Sequence, residues 1–120
     1  MRNFKNYDIW IDAMSLARDI YKACSSFPNH EIFALTSQMR RACTSIPSNI
    51  AEGAGRASEN DFSRFLGIAL GSAYELETQV ILAKDFGYLS HGTYDILSSQ
   101  IVSLQSRISA LIKNINNKLY

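Results

Sequence analysis

Apolar residues recur at steps of three and four along almost the whole chain, and nowhere do they alternate with the period of two that marks a half-buried strand. Four runs stand out. From Asp8 to Phe27, the residues Ile9, Trp10, Ala13, Leu16, Ala17, Ile20, Tyr21 and Cys24 trace one face of an amphipathic helix. Asp8 reads as its N-cap, and Pro28 ends it, because the residue before a proline is pushed out of helical geometry. A second run starts near Asn29 or His30 and repeats Phe33, Leu35, Met39, Ala42, Ile46, Ile50 and Ala54. Pro47 falls inside it, yet the apolar phase continues across the proline, which predicts one kinked helix rather than two. Glycines from Gly53 to Gly55 then supply a left-handed C-cap.

The third run opens with Ser58 as N-cap and Asp61 three residues on, a variant of the capping box. Its stripe is Phe62, Phe65, Leu66, Ala69, Ala73, Leu76, Val80 and Ala83. Gly67, Ile68, Leu70, Gly71 and Leu82 widen that stripe, so this helix is apolar on more than one face and is expected either at the centre of the fold or against a second subunit. Gly87 is its expected C-cap. The fourth run begins between Ser90 and Thr93, and Tyr94, Leu97, Ile101, Leu104, Ile108, Leu111 and Ile115 form a heptad seam, with Ile96, Val102, Ile112 and Leu119 lying off it. Four long helices joined by short loops predict an all-α, antiparallel, up-down-up-down four-helix bundle, a single domain over residues 1–120.

Composition narrows the function more by exclusion than by suggestion. The chain has 120 residues, 47% hydrophobic and 19% charged, enough for one core without covalent staples. No run approaches the roughly 18 apolar residues a membrane span needs, and the charged N-terminus does not read as a secretory signal. Cys24 and Cys43 stand at apolar positions with no metal-ligand spacing, so reduced thiols and a cytoplasmic protein are expected. His30 and His91 fall in predicted loops without a carboxylate at ligand spacing, and the Glu-x-x-His pairs of a di-iron bundle are missing. "GAGR" follows no strand and leads to no Gly-Lys-Ser/Thr, so it is not a phosphate loop. No activated nucleophile is recognisable. The expectation is a protein that is not an enzyme and carries no metal or cofactor.

Charge and polarity single out two groups. The net charge is only +1, but Arg40, Arg41 and Arg56 cluster in sequence with Glu52 as the lone acid among them, and they are the candidate nucleic-acid contacts. Asn49, Glu52 and Arg56 make a polar ridge beside the core stripe of the second helix, and Glu75 with Gln79 makes another on the third. Gln38, Asn49, Glu52, Glu75 and Gln79 are read as a structural hydrogen-bond network that fixes helix register and satisfies the carbonyls freed by Pro47, with a ridge that meets a ligand or partner as the alternative.

Residues 35–89 also resemble a bacterial four-helix-bundle family. The motifs are Gln38, Arg40, Arg41 and Ala42; then Ser45, Ile46, Asn49, Ile50, Ala51, Glu52 and Gly53; then Phe65, Leu66, Ile68, Ala69, Gly71, Ser72, Glu75 and Leu76; and finally Gly87, Tyr88 and Leu89. Members of that family are encoded in intervening sequences of large-subunit ribosomal RNA genes and are described as ribosomal-protein-like. The accessory variability determinant of diversity-generating retroelements, which binds nucleic acid and a reverse transcriptase, is a relative. The resemblance implies a ring-shaped homopentamer with RNA or a ribonucleoprotein as its partner. A protein-interaction scaffold without nucleic-acid contact is the alternative.

Overall fold

The structure is a computed structural model and describes residues 2–119, with the side chain of Leu119 outside that description. Four helices carry the fold: α1 (Asp8–Cys24), α2 (Leu35–Ala54), α3 (Glu59–Asp85) and α4 (His91–Leu119). Single 3-10 turns at Phe4–Asn6 and Asn29–Glu31 precede α1 and α2. Each helix packs against its neighbours in sequence, α4 closes back on α1, and the two diagonal pairs stay apart, giving an up-down-up-down bundle 47 Å long. The expected apolar stripes meet in one continuous core, with Leu16, Ile20, Met39, Ile46, Ile50, Phe62, Leu66, Leu76, Ile101 and Ile108 fully buried. Within the heptad seam of α4, Leu97, Ile101, Leu104, Ile108 and Ile115 are buried, while Tyr94 and Leu111 sit at its margins.

The helix ends differ from the sequence expectation in informative ways. Asp8 is the first helical residue, not the N-cap; Tyr7 holds that place, and Asp8 contributes only its charge to the positive helix end. The second helix begins at Leu35, because Ala34 (φ −125°, ψ −109°) leaves helical geometry, and Phe33 stands 97% exposed instead of on the core stripe. α2 then runs unbroken through Pro47. Gly55 is not a left-handed cap, since its φ is −81°. The orphan carbonyls there are met from outside: Arg2 donates through Nη1 to the carbonyl oxygens of Ala54 (3.1 Å) and Arg56 (2.6 Å). The same guanidinium pairs with Glu59 and lies 4.6 Å from the centre of the Phe62 ring.

At α3 the expected cap is present: the Ser58 hydroxyl accepts from the Asp61 amide at 3.0 Å. Its far end is a Schellman turn, with Tyr88 N–H bonded to Ala83 O and Gly87 N–H to Lys84 O. Gly87 (φ +81°) supplies the left-handed residue one place beyond the cap. Ser90 opens α4, its hydroxyl accepting from the Thr93 amide. His91, expected in a loop, is the first residue of that helix.

Candidate interaction surfaces

The candidate residues do not form one site. Arg40 lies on α2 and Arg56 two residues beyond its end, and the fourteen helical steps from Arg40 to Ala54 alone span about 21 Å at 1.5 Å per residue. Arg56 is engaged locally: its Nη2 donates to Glu52 Oε1 at 3.2 Å, and its guanidinium lies over Phe65. Arg64, one turn into α3, likewise pairs with Asp61 and covers the same ring. The α2–α3 turn therefore holds Arg2, Arg56 and Arg64 with Glu59, Glu52 and Asp61, a neutralised cluster rather than a basic patch. Arg41 is exposed and has no acid within ion-pair distance among the described residues. Arg40 is half-buried, its guanidinium 5.2 Å from the centre of the Tyr21 ring on α1 and its Nε buried without a partner.

The polar ridge also divides. Asn49 donates to Ser45 O (2.8 Å) and Ser45 Oγ (3.0 Å), and Ser45 shares a 2.8 Å hydrogen bond with Ser72 across the α2–α3 seam. This ties register between two helices, but Asn49 serves the Ser45 carbonyl, not the Cys43 carbonyl that Pro47 frees. Glu52 faces solvent with Arg56. Gln79 is buried and donates to Glu75 at 3.3 Å, leaving its own Oε1 without a partner. Gln38 is exposed and makes no side-chain hydrogen bond among the described residues, so it does not join the network. Residues not singled out from sequence bind the other seams. Gln105 donates to Glu77 (2.9 Å), Ser63 to Asn116 (3.0 Å), Arg107 to Asp12 (2.7 Å) and Gln100 to Asp19 (3.0 Å). The signal available for Gln105 was a glutamine directly beside Leu104 in a heptad seam, where a polar residue needs a partner.

No group of three or more His, Cys, Asp or Glu that could hold a metal ion occurs among the described residues. His30 and His91 are exposed, 3.9 Å from Glu31 and 3.3 Å from Asp95. Burial pushes the thiol of Cys24 up to about 11 and that of Cys43 up to about 12, so both stay protonated and poorly nucleophilic at neutral pH. The folded chain thus keeps two protons that the unfolded chain, with thiols near 9, gives up as the pH rises. The stability these groups contribute is complete below that value and lost as the pH climbs towards 11 to 12. The urea midpoint is expected to fall over this range, and to fall less steeply in the double variant Cys24→Ala/Cys43→Ala.

Fold and surfaces define the class: a helical bundle whose seams are joined by polar side chains, with no helix among the described residues long and apolar enough to cross a membrane. Residues 5–110 match the 23S rRNA-intervening sequence protein family, and the chain belongs to it. Among solved structures it is similar to a protein of unknown function from the S23 ribosomal protein family from Bacteroides thetaiotaomicron. The two are 26% identical, with a TM-score of 0.79, covering 88% of this chain and 98% of that one. No curated protein matches the chain.

Proposed function

We propose that the protein is a non-enzymatic subunit of a cytoplasmic homo-oligomer, a homopentamer, that binds RNA or a ribonucleoprotein partner. The observation that carries the assembly is the outward side of α3. Ile68, Tyr74, Ile81 and Leu82 are exposed there. Between Gly67 and Leu82 the only charges are Glu75 and Glu77, and Glu77 is turned to Gln105 on α4. A Cβ on Gly67 or Gly71 would meet nothing within 4 Å, so packing within the protomer does not call for either glycine. Each glycine costs about 1 kcal/mol against alanine in a helix, and a second backbone lying close is the physical reason to keep both.

Light scattering at micromolar concentration is expected to give a closed multiple of the single chain; a monomer overturns the assembly. Gly71→Gln tests the face itself. The dissociated protomer is expected to gain up to about 1 kcal/mol in stability from the better helix former, while the scattering mass falls. An unchanged mass means that another face is used.

RNA binding is supported by family membership and by Arg41, which is exposed and has no ion-pair partner among the described residues. The reading requires affinity for RNA that weakens as salt is added. The scaffold alternative draws on a different feature: Ile32, Phe33 and Phe86 are exposed where the α1–α2 and α3–α4 connections meet, an apolar end suited to another protein. A partner that stays bound after nuclease treatment favours it.

A further inference from the structure

The four seams of the bundle are not alike. Hydrogen bonds between side chains cross the α2–α3, α3–α4 and α1–α4 seams at Ser45–Ser72, Gln105–Glu77 and Arg107–Asp12. The α1–α2 seam has none among the described residues; its one side-chain hydrogen bond there is the long contact of the Cys43 thiol to the Ala17 carbonyl, at 4.0 Å. Instead it opens into a groove of about 560 Å³ lined by Met14, Ala17, Arg18, Tyr21, Thr44, Pro47 and Ser48.

Charge is segregated across α1 to match. Beyond Asp8 at its first residue, the acids of α1 are Asp12 and Asp19, and both are turned to α4, where they hold Arg107 and Gln100. Arg18 lines the groove, whereas Lys22, one helical turn on from it, lines the neighbouring cavity on the α4 side together with Asp19. Arg40 crosses from α2 onto the Tyr21 ring. No acid lines the groove, and Arg18 has no ion-pair partner among the described residues. Tyr21 remains 45% exposed despite its arginine. An aromatic ring with uncovered surface beside unpaired cations, over an apolar floor, is the combination that single-stranded nucleic acid uses: bases stack on the ring while phosphates meet the cations. Two smooth duplex backbones would engage the cations but leave Tyr21 and the apolar floor unused.

We propose that the α1–α2 groove is the nucleic-acid site and that it takes a single strand, with Tyr21 and Arg40 as the stacking platform and Arg18 as the phosphate contact. This rests on the RNA-binding reading above, narrows it to one seam, and moves Arg56 out of the interface.

The test uses fluorescence anisotropy with the full-length protein, a labelled oligouridylate, and an RNA duplex of equal length. The wild type is expected to prefer the single strand. Tyr21→Ala is expected to weaken binding about tenfold and Tyr21→Phe to retain it, since stacking needs the ring and not the hydroxyl. Arg18→Gln is expected to lower affinity and reduce the salt slope by roughly 0.7. Lys113→Gln, which removes the same charge from α4, is the control and is expected to change little. Circular dichroism confirms that each variant is folded, and Arg18→Gln, at an exposed position, stands if Tyr21→Ala is not. Equal losses in Arg18→Gln and Lys113→Gln mean diffuse attraction and overturn the groove while leaving RNA binding intact. A preference for duplex also overturns it. No binding of either RNA at low salt overturns both readings.

Discussion

Phe62→Ala is expected to remove about 3–5 kcal/mol of stability, a large part of the 5–15 kcal/mol typical of a domain. The ring is 2% exposed and stands where three parts of the chain converge. Its centroid is 5.9 Å from that of Tyr7, the Arg2 guanidinium lies on it, and it closes against Gly53 on α2. Removing it leaves a cavity walled by two helices that cannot collapse without parting from the remaining core, which places the cost towards the upper end for such truncations. It also removes the surface on which Arg2 rests, so the cap of α2 loosens with it. Urea unfolding, with the slope checked for constancy, gives the value; a loss below about 1 kcal/mol would show that the corner repacks freely.

Gly53→Ala is expected to destabilise by about 1–3 kcal/mol although it replaces a poor helix former with the best one. A Cβ at this position would stand 2.7 Å from the Phe65 Cβ, 3.2 Å from Phe62 Cδ1 and 3.3 Å from the Phe62 carbonyl oxygen. The first and last of these are fixed by the α3 backbone, so the helices themselves would have to separate. The propensity gain is about 1 kcal/mol and is the smaller effect. Gly71→Gln on the outer side of α3 has the opposite expected sign in the free protomer, because its surroundings are empty. Thermal or urea unfolding of Gly53→Ala settles the matter, and a stabilised protein would mean that the α2–α3 approach is looser than 2.7 Å implies.

Gly53 also shows where sequence reading stops. The apolar phase of Ile46, Ile50 and Ala54 was enough to carry α2 across Pro47, and Ser58 with Asp61 was enough to place the start of α3, because both signals are local. Gly53 lies three residues after Ile50 and so on the buried face, but a glycine near a helix end reads equally well as a cap. Only the position of Phe65, on the next helix, decides between the two. The arginines failed for the same reason. Arg40, Arg41 and Arg56 are close in sequence, yet the stretch of α2 between Arg40 and Ala54 alone spans about 21 Å and holds the last of them apart. The cation grouped with Arg40 in the proposed groove is Arg18, from a different helix, and nothing local in the sequence connects them. Gln38 has the composition of a network residue but a helical phase that points to solvent.

The clamp made by Arg2 bears on how self-contained the most recognisable stretch of this chain is. Residues 45–56 look like a portable motif, a helix end with its own glycines. Their last carbonyls are nevertheless closed by a guanidinium from more than fifty residues earlier. Grafted into another bundle without that arginine, the same twelve residues would arrive with their end unsealed, so the motif is a property of the whole bundle and not a transferable part.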